Sequence, residues 1–330
     1  MGKVLKYTVL VLASFLWFLG CSRATVVYLV DNGYIEDDFR YGDLYRLSNL
    51  GEYREEVNKC GQVYEGQKVP VSLYLAGDSF TELGRIGGEA YAASHFERSA
   101  VNTSAHNLVL KEGKKILVIE SVERHFRERF AAQPWNEWSL PPTTIPKVQS
   151  QHWYDWLVEL QVPYREEMHE SVLFSSDFIL KIKEWKAGFN KQFFGKVDPK
   201  VGVLDEHLVY ELDLAEGVSS VFDPVSEEEL ERIVLHINQT RENYKKMGFD
   251  EVYLSIIPNK SSLLLTNDSR YNRLVERIES HPELEAPIIS VWREFQQGEY
   301  YLKGDSHWTC EGQKIWVDKV NGAILLEAVK

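Results

Sequence analysis

Short apolar runs that end at glycine or polar residues alternate along the chain with longer segments whose apolar residues recur at helical spacing. The runs are rich in strand-forming residues, which predicts buried strands. They cover residues 69–76, 115–120, 251–257 and, with a weaker pattern, 287–292. Ser226–Glu229 form a capping box that opens a helix to about Met247, and residues 268–281 form a second helical pattern. This alternation predicts an α/β fold whose mostly parallel sheet is covered by helices on both faces.

Other segments have less regular patterns. Residues 81–94 are small and compatible with a helix, and residues 41–56 indicate a short polar helix or a helix-turn segment. Proline and tryptophan residues predict an irregular path for residues 131–147. We interpret residues 131–223, which include a predicted helix around 175–190, as an insertion into a single domain.

The composition is that of a globular protein, because 44% of the 330 residues are hydrophobic and can form a packed core. The 50 acidic residues exceed the 37 basic ones and give a net charge of -13. This charge disfavours binding to a phosphate backbone, so nucleic acid is not an expected partner. No two histidines lie four residues apart on a predicted helix, which disfavours a metal site. No cofactor is predicted.

The N-terminus has the features of a secretory signal. Two lysines precede an apolar run, residues 7–19, that is shorter than the roughly 20 residues of a membrane span. The run leads to Cys21 in a context that resembles a bacterial lipoprotein signal over residues 1–21. This resemblance implies that Cys21 carries a lipid and anchors residues 22–330 in the cell envelope, facing the periplasm or the outer membrane. An uncleaved anchor and an ordinary signal peptide with a chance cysteine are the alternatives.

Cys60 and Cys310 are the cysteines that remain if Cys21 carries a lipid. An even pair in an oxidising compartment permits a disulfide. Two buried free thiols are an equally open alternative.

A candidate nucleophile follows the first predicted strand, in the sequence Gly77-Asp78-Ser79. Ligands of open parallel sheets bind at the carboxyl ends of strands, so a serine in this turn is well placed to react. The glycine permits a tight turn, and the Ser79 amide can point at a developing oxyanion. A serine needs a base that is held by a third group in order to react at neutral pH.

The segment Lys303–Thr309 offers both of the missing groups. Asp305 and His307 are two residues apart and project to the same side of an extended segment. The carboxylate can then fix one ring nitrogen while the other faces the serine. Thr309 is predicted to cap a helix over residues 313–325 that would hold this loop rigid.

Four separated motifs resemble one protein family. GDSF at residues 77–80 and DSHW at residues 305–308 resemble the SGNH/GDSL hydrolase superfamily, which implies a three-layer, flavodoxin-like fold with a Ser-His-Asp triad. The aspartate–histidine spacing in DSHW is more similar to the alginate O-acetyltransferase branch of that superfamily. IESVER at residues 119–124 and IPNK at residues 257–260 also resemble motifs of that branch.

The resemblance implies a role for each matching residue. Ser79 would be the nucleophile, His307 the general base and later acid, and Asp305 the carboxylate that orients the histidine. The candidates for oxyanion or substrate binding are Asn259, Arg124, Lys260 and the backbone amide of Ser79.

Several candidates also have a purely structural interpretation. Glu123-Arg124 is either a functional pair or a surface pair that contributes little. Lys260 either neutralises an anionic group of the substrate or is a solvated loop lysine. Trp308 is expected to wedge the catalytic loop in place. Other tryptophans could stack on sugar rings or pack in a core, namely Trp135, Trp138, Trp153 and Trp156.

Three functions are compatible with these residues. The first is a lipid-anchored O-acetyltransferase that acts on polysaccharide hydroxyls, for which the resemblance implies a membrane-embedded partner that supplies acetyl groups. The second is a carbohydrate or acetyl esterase with the same residues, because the choice of acceptor depends on how well the pocket excludes water. The third is a non-catalytic glycan-binding lipoprotein, a hypothesis suggested by the aromatic residues of the insertion.

Overall fold

The computed structural model describes residues 2–21, 32, 34, 40–82, 84–102, 105–106, 108–139 and 177–330. The chain divides into two compact units. Met1–Glu56 and Thr144–Asp198 form the first unit, and Val57–Thr143 and Pro199–Lys330 form the second. The segment interpreted as an insertion is therefore shared between the two units.

A four-stranded sheet, in which every neighbouring pair of strands is parallel, forms the centre of the second unit. The strands of the described residues are β1 (Val69–Gly77), β2 (Ala93–Ala100), β3 (Ala105–His106), β4 (Lys114–Val122), β5 (Trp138–Ser139), β6 (Val201–Leu204), β7 (His207–Tyr210) and β8 (Glu251–Ile257). The main sheet has the order β2-β1-β4-β8, while β3 pairs with β5 and β6 pairs with β7. Three predicted strands are confirmed as β1, β4 and β8, and their carboxyl ends share one edge of the sheet.

Two of the long helices begin at capping residues that the sequence indicated. The helices of the described residues are α1 (Gly2–Cys21), α2 (Asp43–Ser48), α3 (Glu123–Ala131), α4 (Asp177–Phe194), α5 (Glu211–Leu214), α6 (Glu227–Met247), α7 (Lys260–Leu264), α8 (Leu274–Glu279), α9 (Trp292–Phe295) and α10 (Cys310–Val329). Ser226 Oγ accepts from the Glu229 amide, and Thr309 Oγ1 accepts from the Gly312 amide, so both predicted caps are confirmed. Within the part of the chain described here, no helix is both long and apolar enough to cross a membrane.

Alternate side chains of the strands enter two separate cores, which gives the second unit its three layers. On β1, Leu73 and Leu75 face one core, whereas Tyr74 and Ala76 face the other. Residues of α10 complete the first core, and residues of α3, α6 and α8 complete the second. This confirms the predicted α/β fold with a parallel sheet between helices.

The helix predicted for residues 81–94 is wrong. Two short 3₁₀ turns, Ser79–Thr81 and Gly88–Ala90, lead instead into β2, whose Ala93 pairs with β1. Glycines in this stretch disfavour a helix, and the following residues gain sheet hydrogen bonds on β1.

The strand predicted for residues 287–292 is also wrong. Leu254 makes only an isolated parallel bridge with Ile288. Pro287 has no N–H to donate, and the Ser290 hydroxyl accepts from the Trp292 amide at 3.2 Å and turns the chain into α9.

The helical pattern of residues 268–281 is realised only as α8. Arg273, which precedes this helix, has a φ of 56°, so the chain enters the helix from a left-handed turn. The pattern therefore identified a helix but overestimated its length.

The first unit contains α4, which packs on residues 41–56. The Tyr45 hydroxyl donates to Glu184 at 2.7 Å, and Arg54 donates to Asp177 at 2.5 Å. The helix predicted around 175–190 is thus confirmed as α4. Trp153 and Trp156 lie outside the described residues.

Candidate active site

Ser79 lies just beyond the carboxyl end of β1 and begins a 3₁₀ turn. The turn is too tight for a side chain at Gly77. A Cβ at this position would lie 1.9 Å from Thr81 Oγ1 and 3.3 Å from Glu120 Oε2. Glycine is therefore required where the strand meets the turn that carries the candidate nucleophile.

Ser79, His307 and Asp305 form a connected chain of hydrogen bonds. His307 Nε2 is 2.9 Å from Ser79 Oγ, and His307 Nδ1 is 2.6 Å from Asp305 Oδ1. The same carboxylate oxygen accepts from the His307 backbone N–H at 2.9 Å, which fixes the carboxylate relative to the ring. This geometry allows the imidazole to take the serine proton while the carboxylate holds the ring. The structure brings together groups that are 228 positions apart in the sequence.

Aromatic side chains pack around the loop that carries Asp305 and His307, residues 303–309. The ring of Phe80, the residue after the nucleophile, lies 4.7 Å from the His307 ring and 5.0 Å from the Trp308 ring, measured between centroids. Trp308 is itself buried against Trp316 of α10, with the rings 5.7 Å apart. Trp308 thus wedges the loop between the nucleophile turn and α10, as the sequence predicted.

Lys260 fixes the backbone of the same loop. Its side chain is 3% exposed, and Nζ donates to the backbone carbonyls of Leu302, Lys303 and Asp305 at 2.9, 3.2 and 2.7 Å. The expectation of a solvated loop lysine is wrong, because the ammonium is buried among carbonyl acceptors. These contacts make Lys260 a positioning residue, and they give no support to the expected contact with an anionic substrate.

The backbone of the nucleophile turn is held from two sides. Arg98 of β2 donates to the carbonyls of Gly77 and Asp78 at 3.0 and 2.6 Å. The Ser79 amide, predicted as an oxyanion donor, instead donates to Asp78 Oδ1 at 3.0 Å. In this structure, the amide is therefore engaged by the neighbouring carboxylate, which also approaches Arg129 at 3.5 Å.

Glu120 is a buried carboxyl group beneath this turn. Its Oε2 accepts from the Asp78 amide at 2.7 Å and from the Thr81 hydroxyl at 2.9 Å. Burial, reinforced by the nearby Asp78 carboxylate, raises the pKa of Glu120 to about 8. Its surroundings therefore favour the protonated form, and the carboxyl group links β4 to the first residues after β1.

Glu123 and Arg124 are buried, so their interpretation as a surface pair is wrong. The Glu123 carboxyl group accepts from the backbone N–H of Asn259 at 2.9 Å and from the Ser262 hydroxyl at 2.6 Å. Burial raises the pKa of Glu123 to about 7 despite these donors. The pair therefore joins the ends of β4 and β8 rather than facing solvent.

Arg124 and Asn259 meet at this junction. Asn259 Oδ1 accepts from the backbone N–H of Arg124 at 3.3 Å and from its side-chain Nε at 3.4 Å. Arg124 Nε also lies 3.2 Å from Asp213 Oδ1. The Arg124 guanidinium stacks over the Tyr210 ring at 4.3 Å. Asn259 Nδ2 is buried and has no hydrogen-bond partner among the described residues. Of the predicted oxyanion donors, Asn259 therefore offers a side-chain N–H that no neighbour uses.

The sequence analysis missed three residues that contact the triad or its turn. Arg85 lies 3.3 Å from His307 Nδ1, while Arg98 and Glu120 hold the turn at Ser79. Glu120 carried one usable signal, because it is an acidic residue at the end of an otherwise apolar strand. Arg85 and Arg98 carried no comparable signal, since isolated arginines are common on surfaces.

Other predicted candidates lie away from this network. Trp135 and Trp138 are buried in the core beside α6 and cannot present a ring face to a sugar. Cys60 and Cys310 are joined by a disulfide, which decides between the two alternatives that the sequence left open. Cys21, the candidate lipidation site, is the last residue of α1.

The assembled groups have the parts that nucleophilic acyl transfer requires. These are a hydroxyl, a base in contact with it, and a carboxylate that orients the base. They lie at the carboxyl edge of a parallel sheet, where such folds bind ligands. No protein-family model, curated protein or solved structure matches this chain.

Proposed function

We propose that the protein is a cell-envelope serine acyltransferase that moves an acetyl group onto a hydroxyl of a polysaccharide. One observation carries this proposal. Ser79 Oγ, His307 and Asp305 are connected by hydrogen bonds of 2.9 and 2.6 Å. A serine in hydrogen-bond contact with a histidine that is held by a buried aspartate is an activated nucleophile.

In the first half-reaction, Ser79 Oγ attacks the carbonyl carbon of an acetyl ester. His307 Nε2 takes the hydroxyl proton, and Asp305 stabilises the imidazolium that forms. The tetrahedral intermediate then releases the donor alcohol, which takes the proton from His307. The product of this step is an acetyl ester on Ser79.

In the second half-reaction, a sugar hydroxyl enters where the donor alcohol left. His307 takes its proton while the hydroxyl oxygen attacks the acetyl-serine carbonyl. Collapse of the intermediate transfers the acetyl group to the sugar and returns the proton to Ser79. Each half-reaction uses the same three side chains, so no further protein nucleophile is needed.

The tetrahedral oxyanion requires hydrogen-bond donors. In the proposal, Asn259 provides one, because its Nδ2 is a buried donor without a partner among the described residues. The Ser79 amide can contribute only after it leaves the Asp78 carboxylate, to which it now donates at 3.0 Å.

Motif resemblance supports an O-acetyltransferase as the finer choice. Residues 119–124 and 257–260, which resemble motifs of the alginate O-acetyltransferase branch, occupy the carboxyl ends of β4, which pairs with β1, and of β8, which pairs with β4. The same resemblance supports a membrane-bound acyltransferase as the source of acetyl groups. The proposal further includes a lipid on Cys21 that holds the enzyme at the periplasmic or outer-membrane surface.

An acetyl or carbohydrate esterase is the second candidate, because the same hydrogen-bond chain can activate water in the second half-reaction. The assembled triad argues against a non-catalytic glycan-binding role, since such a role needs no activated serine.

A chromogenic acetyl ester tests the proposal directly. Wild type and Ser79→Ala are compared with and without an oligosaccharide acceptor, and both released chromophore and acetylated sugar are measured. We expect turnover by wild type only, with acetylated sugar as a product. Chromophore release without acetylated sugar would select the esterase, and equal turnover by both proteins would remove Ser79 from the mechanism.

A further inference from the structure

Helix α4 of the first unit exposes a row of large apolar side chains. The row consists of Phe178, Ile182, Trp185, Phe189 and Phe193, which we call the aromatic stripe. These side chains are between 40% and 73% exposed. Their spacing of three or four residues places them on one face of the helix. Single exposed apolar residues are ordinary, but a continuous row of this size marks an interaction surface.

The opposite face of α4 holds the helix in its unit. Leu180 is buried there, Glu184 accepts from the Tyr45 hydroxyl at 2.7 Å, and Lys191 donates to Glu52 at 2.7 Å. The contacts that fix the helix thus lie away from the aromatic stripe. Substitutions in the stripe should therefore leave the fold intact.

Lysines accompany the stripe. Lys181 and Lys186 are exposed on its two sides, and α4 as a whole has four lysines and two acidic residues in a chain of net charge -13. Next to the helix lies a cavity of about 320 Å³ whose charged lining residues are Lys183, Lys186, Lys196 and Asp198. This part of an acidic protein is therefore locally basic and complements an anionic surface.

We propose that α4 lies on the surface of an anionic lipid bilayer. The aromatic stripe would enter the boundary between headgroups and acyl chains, and Lys181 and Lys186 would remain at the level of the phosphates. Between Phe178 and Phe193, the stripe spans about 22 Å of helix, enough to cover several lipids. Tryptophan and phenylalanine beside lysine are typical of helices that lie in this interface.

Other occupants fit the surface less well. A second copy of the chain would bring the lysines of one stripe close to those of the other, which is unfavourable. A hydrated polysaccharide would leave most of the apolar area of five large side chains exposed to water. A bilayer accommodates both the apolar stripe and its basic flanks. The proposal uses no step of acyl transfer and is independent of the proposed function.

Lipid binding is tested with the full chain and vesicles of phosphatidylglycerol or phosphatidylcholine. The N-terminal segment is kept in every variant, so that any difference arises from α4. We expect Trp185→Glu/Phe189→Glu to lower the partition coefficient onto phosphatidylglycerol by at least roughly tenfold. Lys181→Gln/Lys186→Gln should weaken binding to phosphatidylglycerol but not to phosphatidylcholine. The matched control is Leu235→Glu/Leu326→Glu, which adds two charges at exposed leucines of the second unit.

A local readout separates α4 from other lipid contacts. The difference between the emission of wild type and of Trp185→Phe gives the fluorescence of Trp185, which phosphatidylglycerol with brominated acyl chains should quench. Unquenched Trp185 emission in vesicle-bound protein would overturn the proposal. So would equal partitioning of the stripe variant and the leucine control, or a stripe-dependent dimer in sedimentation velocity without lipid binding.

Discussion

The ammonium nitrogen of Lys260 lies 2.7 Å from the backbone carbonyl oxygen of Asp305, the carboxylate residue of the triad. The same ammonium also donates to the carbonyls of Leu302 and Lys303. Lys260 begins α7 shortly after β8. The contact therefore ties the loop of Asp305 and His307 to the carboxyl end of the sheet, where Ser79 lies. A buried ammonium and a set of buried carbonyls satisfy one another here, since either alone would be costly to bury.

Replacing Lys260 with methionine should therefore impair catalysis without removing a reacting group. The loop would lose three donors, and the position of Asp305 relative to His307 would relax. Because small displacements of reacting groups cost about 10²-fold in rate, we expect kcat to fall roughly 10²-fold with little change in KM. Steady-state kinetics with an acetyl ester measures both values.

Lys303→Met is the matched control for this substitution. Lys303 is on the same loop, but its ammonium pairs with Glu206 near the surface at 2.6 Å. We expect its kcat to stay close to that of wild type. If the two variants had the same kcat, the positioning role of Lys260 would be rejected.

A second prediction concerns the carboxylate itself. Asp305→Asn preserves the size of the side chain but no longer provides the charge that holds Nδ1 of His307, so kcat should fall by about 10³- to 10⁴-fold. Labelling of Ser79 by a fluorophosphonate should slow in parallel. Asp268→Asn is the control, because Asp268 pairs with the exposed Arg270 and is not part of the Ser79–His307–Asp305 chain of hydrogen bonds. Activity of Asp305→Asn within a few-fold of wild type would contradict the triad.

The sequence was sufficient to predict much of this site. Continuous apolar runs identified β1, β4 and β8, because strands buried on both faces need apolar residues at successive positions. The short motifs at Ser79 and His307 then indicated the candidate reacting groups, because both motifs lie in turns at predicted element boundaries. Ser79 follows β1 of the parallel sheet, whereas His307 lies between α9 and α10, so their proximity was expected from the chemistry that pairs a serine with a histidine base and not from strand order.

The supporting contacts could not be predicted in the same way. The partners of Lys260 are backbone carbonyls, which leave no trace in residue identity. Arg98 and Glu120 hold the nucleophile turn through contacts that no local pattern specifies, although Glu120 lies in the IESVER motif. The helix expected over residues 81–94 failed for a local reason, because Gly84, Gly87 and Gly88 disfavour a helix, and only its last two residues enter β2.

Glu120 leads to a prediction on the pH dependence of stability. Its pKa is raised from 4.5 to about 8 in the folded protein. Between these values, the unfolded chain has released a proton that the folded protein retains. The free energy of unfolding should therefore fall as the pH rises from 4.5 to about 8. Above about pH 8, the effect of Glu120 on this free energy should level off. The loss is on the order of 4 kcal/mol.

Glu120→Gln isolates this effect. The glutamine can accept the hydrogen bonds of the Asp78 amide and the Thr81 hydroxyl but does not ionise. Urea denaturation at several pH values should show that the variant loses less stability than wild type as the pH rises. Glu128→Gln, an exposed position on α3, should follow the wild-type curve. Parallel curves for wild type and Glu120→Gln would show that the carboxyl group does not titrate in this range.

The disulfide gives the last prediction. Cys310 begins α10, three residues after His307, and its bond to Cys60 closes a long loop of the chain, with a sequence separation of 250. Removing such a cross-link raises the conformational entropy of the unfolded chain, so Cys60→Ser/Cys310→Ser should lower the free energy of unfolding by about 2–4 kcal/mol. Urea denaturation measures the change.

A reducing agent should destabilise wild type to a similar extent and leave the double variant unaffected. Equal midpoints for oxidised wild type and the double variant would contradict a stabilising role for the disulfide.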